Sequence, residues 1–195
     1  MNELILASSS PRRKELLQQI GVYFSCMPMD IDEKPLVNED GTAYVLRLAE
    51  QKALAAISLS KGLPVLGSDT CVLVDGEILG KPENEEDAIR MLKRLSGRSH
   101  MVKTAVAVCC EKNSKIQVLS EVVETQVTFI QLSEAQIVNY VNCGEPMDKA
   151  GAYGIQGKAA VLVESIKGSF SNVVGLPLAE TARLLEKMDV KIWQY

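Results

Sequence analysis

Histidine is nearly missing from this chain: its 195 residues include one, His100. Ser-His-Asp triads, Cys-His dyads and multi-histidine zinc sites need imidazoles that are not there, so these chemistries are excluded. His100 itself opens a strand pattern, HMVKTAVAVCC, where a structural role is expected. The cysteines Cys26, Cys71, Cys109, Cys110 and Cys143 are odd in number and contain no C-x-x-C pair. Neither a disulfide framework nor a zinc knuckle fits, and reduced core thiols are expected. No apolar run is long enough to span a bilayer, and no basic stretch precedes the brief apolar run in MNELILASSS, so a soluble, cytoplasmic protein is expected. The net charge of −4, from 21 basic and 25 acidic residues, argues against nucleic acid or an anionic membrane as the main partner. If there is catalysis, it must rest on carboxylates, lysines, arginines and a hard metal ion.

What remains is enough for one well-buried α/β domain over residues 1–195, since 47% of the chain is hydrophobic. ELILAS, PRRKELLQQI and VYFSCM read as strand, helix and strand, a βαβ-like opening. After the polar loop DIDEKPLVNEDG comes a long amphipathic helix, TAYVLRLAEQKALAAISLS, with apolar residues on one face and Arg47, Glu50 and Lys52 expected elsewhere around it. Two strands joined at Asp75-Gly76 follow, then the helix NEEDAIRMLKRLSG, then two long strands joined around Asn113 and Ser114. SEAQIVNYVNCG and LAETARLLEKM read as further helices. No repeat, linker or low-complexity stretch interrupts them, and a mixed sheet is the economical reading.

The first helix breaks a rule that the third obeys. A helix N-terminus carries about half a positive charge, so acids belong in the first turn. NEEDAIRMLKRLSG follows this, whereas SSSPRRKELL puts Arg12, Arg13 and Lys14 there behind a Ser10 cap and Pro11. A capped helix with solvated arginines has the same letters. The sharper reading is a phosphate site, where N–H groups, serine hydroxyls and guanidiniums converge on oxygens. It is no P-loop, because nothing matches G-x-x-x-x-G-K-[ST]. GSDT ends an apolar run with Asp69, where α/β sheets place ligand groups, although a turn would look alike. LGKP puts Lys81 just past a strand, the ordinary place for a surface lysine. In DKAGAYGIQG, glycines at 151, 154 and 157 suit backbone lying against a ligand better than a helix or strand.

Six blocks in order, LASSSPRRKELL, LAEQKA, VLGSDT, LGKP, DKAGAYGIQG and GSFSNVVGLPL, resemble the Maf family of nucleoside triphosphate pyrophosphatases almost end to end. The resemblance implies an elongated mixed β-sheet flanked by helices, in two lobes around a deep cleft. It implies hydrolysis of the α–β phosphoanhydride to a monophosphate and pyrophosphate, with Asp69 as general base and Ser8, Arg12, Arg13, Lys52 and Lys81 around the triphosphate. It also implies a divalent cation; Mg²⁺ or Mn²⁺ prefers oxygen ligands, available from Asp69 and from Glu33 or its neighbour Asp32, although DIDEKP has equally the composition of a solvated acidic loop. Phosphoryl transfer supports this need for charge independently, since positioning and neutralisation dominate it and histidine is not required. Arg12, Thr70 and Gln156 place the chain beside the family's dTTP and UTP branch. A glutamine amide, a donor next to an acceptor, suits the N3–H and carbonyls of uracil and thymine provided its orientation is fixed. By analogy a homodimer is in keeping with the family. Rival readings are a nucleotide-binding regulator of septum formation and a pyrophosphatase preferring 7-methyl-GTP or inosine and xanthosine triphosphates.

Overall fold

Capping side chains and turn residues mark where the elements begin and end. In the computed structural model, which describes residues 3–194, strand β1 (Leu4–Leu6), helix α1 (Pro11–Gln19) and strand β2 (Phe24–Cys26) form the opening. Helix α2 (Gly41–Ile57) starts at Asp40, whose carboxylate accepts from the Thr42 and Ala43 N–H groups at 2.7 and 3.0 Å. Strands β3 (Val65–Val74) and β4 (Glu77–Leu79) join through Asp75 and Gly76 at φ 54° and 81°, the left-handed pair that a tight hairpin needs. Helix α3 (Glu85–Leu95) has Asn84 as its cap, acids in its first turn and Lys93 and Arg94 in its last. Strands β5 (Ser99–Lys112) and β6 (Lys115–Phe129) turn at Asn113 and Ser114, and helix α4 (Glu134–Val141) opens on a Ser133–Gln136 capping box.

The last third differs from the sequence expectation. Where glycine spacing suggested only irregular backbone, short 3₁₀ turns at Glu145–Asp148, Ala150–Ala152 and Lys158–Leu162 fold the stretch up. Strand β7 (Val163–Lys167) and the one-turn helix α5 (Phe170–Val174) follow, before helix α6 (Leu178–Lys187). β7 is half exposed, so it lacks the alternation that would have announced it.

The strands lie in the order β2-β1-β3-β5-β6-β7, with β4 on β3. β1 runs parallel to β2 and β3, while β4 and β7 pair antiparallel with β3 and β6. This is the expected mixed α/β sheet with flanking helices. None of the helices among the described residues is long and apolar enough to cross a membrane.

The chain divides into two compact units, and β3 passes from one to the other at Asp69. The first takes the chain through Asp69, Thr104–Val123 and everything from Gly175, and its core includes Leu4, Leu6, Leu17, Leu48, Leu66 and Leu185. The second takes Thr70–Lys103 and Glu124–Val174, with Leu92, Leu95 and Phe129 fully buried. Of the cysteines, Cys71, Cys109 and Cys110 are buried as expected, Cys143 is half-buried, and Cys26 is exposed at the end of β2.

His100 is structural, as its solitude suggested. It is 3% exposed, its Nε2 lies 2.8 Å from the Tyr153 hydroxyl, and its ring meets Phe129 and Tyr153 edge-on. Burial lowers its pKa from 6.5 to about 4. The native state therefore keeps it neutral while the unfolded chain takes up a proton at 6.5, so stability falls as the pH drops from 6.5 to 4 and this contribution levels off below. The loss should approach about 3 kcal/mol. Urea midpoints measured across that window should decline in the natural chain and flatten in His100→Phe.

Candidate active site

Lys52 sits on the wrong side of α2 for a lysine. It was expected away from the apolar face, but Val45, Leu48, Ala49, Lys52, Ala53 and Ala56 form one buried stripe, and Lys52 is only 7% exposed. A buried ammonium is costly unless paired and hydrogen-bonded. Two carboxylates meet this need: Asp69 Oδ1 at 2.7 Å and Glu33 Oε1 at 2.6 Å from Lys52 Nζ.

The contact depends on how closely α2 lies over β3. Gly67 faces the helix backbone, and a Cβ built there would stand 2.2 Å from the Ala49 carbonyl oxygen and 2.8 Å from the Ala53 nitrogen. Only a residue without a side chain permits this approach, and it brings Lys52, one turn along, over Asp69. Asp69 is itself buried. Burial pushes its carboxyl above the usual range, against the pull of the nearby Lys52 and Arg13 charges. A carboxylate of raised basicity, aimed and held by an ammonium, is suited to accepting a proton.

Arg13 is fixed in the same unit. Its Nε donates to the Gly175 carbonyl at 2.9 Å and its Nη1 to Ser8 Oγ at 3.3 Å, while Ser8 Oγ also accepts from the Ser10 N–H at 3.2 Å. Desolvation lowers the Arg13 guanidinium from its ordinary value, and Asp69 works against that shift. Ser68 Oγ donates to the same Gly175 carbonyl at 3.2 Å, so one oxygen ties the start of α1 to the strand that carries Asp69. Ser10 caps α1 by accepting from the Arg13 N–H, and no acid stands in that first turn. The Ser8–Arg13 segment thus combines N–H groups, hydroxyls and guanidinium at a helix start, the composition of an anion site. The structure gives GSFSNVVGLPL a role the sequence did not assign, because Gly175 is what holds Arg13.

Glu33 lies in the loop before α2 and its side chain is half exposed. That loop is pinned to the helix by side chains that sequence reading passed over. Tyr44 Oη donates to the Glu33 carbonyl at 2.9 Å, and Arg47 Nη2 to the Lys34 carbonyl at 3.2 Å. Arg47 also grips both Glu39 oxygens, at 2.6 and 2.7 Å, and holds that carboxyl down at about 2. The i, i+3 spacing of Tyr44 and Arg47 was the available signal.

Of the other sequence candidates, Arg12 is half-buried in the first turn of α1. Thr70, Lys81 and Gln156 belong to the second unit: Thr70 is half-buried, and Lys81 and Gln156 are exposed. As for a metal, among the described residues no three His, Cys, Asp or Glu side chains gather as ligands. Glu33 and Asp69 nevertheless present two carboxylate oxygens to one point, marked by the Lys52 ammonium. Mg²⁺ commonly takes one or two carboxylates and completes its shell with water and substrate phosphate, so these donor types suit it only at a position beside the one that the ammonium fills.

Gly67→Ala should force α2 off β3 and lower stability by about 1–3 kcal/mol. Urea denaturation checks the loss, and unchanged stability would mean that the close approach is not required.

Comparison with known proteins gives the family of the chain. The family described as "Maf-like protein" matches residues 3–188. A protein of Shewanella denitrificans named dTTP/UTP pyrophosphatase is 54% identical over 192 residues, covering 94% of this chain and 95% of its own. One of the same name from Saccharophagus degradans is 48% identical, covering 98% of this chain and 91% of its own. Among solved structures, the Ham1 protein of Staphylococcus aureus superposes with a TM-score of 0.53 at 14% identity, over 96% of this chain and all of that one, a likeness of fold. A HAM1 protein from Coxiella burnetii gives 0.52 at 16%. By its sequence from residue 3 to residue 188, and by the identity it shares with curated relatives, the chain belongs to the Maf family.

Proposed function

We propose that this protein is a hydrolase of the cytoplasmic nucleotide pool that splits the α–β phosphoanhydride of dTTP and UTP, releasing the monophosphate and pyrophosphate. The observation that carries the chemistry is the buried Asp69 carboxylate, raised in basicity by desolvation and held at 2.7 Å by Lys52. The substrate class rests on relatives of about half identity that bear the name dTTP/UTP pyrophosphatase.

In this reading Asp69 takes the proton of the attacking water as the oxygen–phosphorus bond forms and pyrophosphate departs. Lys52 keeps the carboxylate oriented, and Arg12, Arg13, Ser8 and Lys81 neutralise and position the triphosphate. A substrate with about four negative charges offsets the repulsion that Arg12 and Arg13 feel at the positive end of α1. Asp69 and Glu33 would hold a Mg²⁺ or Mn²⁺ ion beside the Lys52 ammonium, and the ion would add positive charge at the phosphate oxygens. Thr70 and Gln156 are assigned to the base, where the glutamine amide matches the adjacent N3–H and carbonyls of thymine and uracil.

Anion-exchange separation of the products tests the reaction, and diphosphate with orthophosphate in place of monophosphate with pyrophosphate would refute it. Asp69→Asn should cut kcat by about 10²–10⁴-fold while nucleotide still binds. Because the base must be ionised, kcat/KM should fall as the pH drops through a carboxyl pKa above the ordinary range, and this acid limb should vanish in Asp69→Asn. In a panel of triphosphates, dTTP and UTP should lead and CTP should lag by roughly 5- to 150-fold, the cost of an amide left unpaired once the bound base covers the exposed Gln156.

A further inference from the structure

Discrimination between uracil and cytosine by a glutamine requires that its amide meet the edge of the base at one place, so whatever fixes the backbone around Gln156 takes part in substrate choice. Gly157 N–H donates to the Gly154 carbonyl at 3.0 Å, closing a tight turn in which Ile155 is buried and Gln156 is exposed. The two ends of this turn are held by one pair of side chains from the segment just before it. At the leading end, Gly154 N–H donates to Tyr140 Oη at 3.3 Å, and Tyr140 Oη donates in turn to Glu145 Oε1 at 2.9 Å. At the trailing end, Glu145 Oε2 accepts from Lys158 N–H at 2.9 Å, and Oε1 accepts from Ala159 N–H at 3.4 Å. Glycine at 157 makes room for the carboxylate, because a Cβ there would stand 2.4 Å from Oε2.

Glu145 is itself anchored. Lys149 Nζ donates to its carbonyl oxygen at 3.0 Å, which fixes the backbone from which the carboxylate projects. Burial alone would raise this carboxyl, but the hydrogen bonds from Lys158 N–H, Tyr140 and Ala159 N–H together outweigh it and hold it ionised below its usual range. A charged acceptor on backbone N–H groups makes hydrogen bonds roughly twice as strong as neutral ones, and Tyr140 completes a continuous chain from Gly154 to Lys158. Neither side chain is needed for the hydrolysis described above.

We propose that Glu145, together with Tyr140, is a positioning residue that locks the turn carrying Gln156 and thereby sets the preference among pyrimidine bases. This rests on the assignment of Gln156 to the base. It predicts a defect in selectivity rather than in triphosphate binding.

The test compares Glu145→Gln, Tyr140→Phe and Gln156→Ala in the full chain, using kcat and KM for dTTP and CTP and inhibition by inorganic triphosphate, which carries no base. Glu145→Gln and Tyr140→Phe should each lower the dTTP-to-CTP ratio of kcat/KM by about tenfold. Inhibition by inorganic triphosphate should stay as in the natural chain. Combining Glu145→Gln with Gln156→Ala should lower the ratio no further than Gln156→Ala alone, since they act as one unit. An unchanged ratio in both Glu145→Gln and Tyr140→Phe, with a collapsed ratio in Gln156→Ala, overturns the positioning role while leaving the base assignment standing. An unchanged ratio in Gln156→Ala overturns both. Weakened inhibition by inorganic triphosphate in step with the ratio would show general damage and also overturn the proposal. If Glu145→Gln does not fold, Tyr140→Phe, which removes a single oxygen, decides the matter alone.

Discussion

A missing side chain at Gly67 governs the first unit. It lets the backbone of α2 lie so near β3 that any Cβ would collide with the Ala49 carbonyl. That closeness turns Lys52, a residue with no business on a buried stripe, into the partner of Asp69. Each group is expensive to bury alone, and each offsets part of the other's penalty. The pair would be a poor device for stability, since well-packed apolar residues serve that end as well or better. Its presence on an otherwise apolar stripe is therefore better explained by the chemistry of Asp69.

A second constraint acts at the start of α1. Arg13 is kept there by Ser8 and by the carbonyl of Gly175, a residue 162 positions later in the chain. The same carbonyl receives Ser68, next to Asp69. One backbone oxygen thus fixes both a cation and the strand that holds the carboxylate, so neither can shift without the other. Glu33 is managed differently: its loop is tied to α2 by Tyr44 and Arg47, which hold the loop's main chain and leave the Glu33 side chain half exposed.

Features encoded by neighbouring residues were legible in the sequence. The cap at Ser10, the hairpins at Asp75-Gly76 and Asn113-Ser114, and the inverted charge of α1 all depend on residues within a few positions of one another. What escaped reading depends on distant partners. Nothing around Gly175 or Glu145 announces what it binds, and β7 is half exposed and lacks alternation. Lys52 is instructive because it was placed by its chemical type when its spacing from Leu48 and Ala56 already put it on the buried face. Cys26 is the opposite case, a residue type usually buried that ends a short strand in the open.

The turn at Gly154–Gly157 is held through its main chain, on which Tyr140 and Glu145 act, and by the buried Ile155, not by the side chain of Gln156. Residue 156 is consequently the part of the segment that can be exchanged without rebuilding anything around it. Through descent, that position can vary with the fold of the segment inherited intact. Its neighbours lack that freedom: at Gly157 the Glu145 oxygen already occupies the space a new side chain would need. Variation along this segment should concentrate at the exposed position, while the letters on either side stay still.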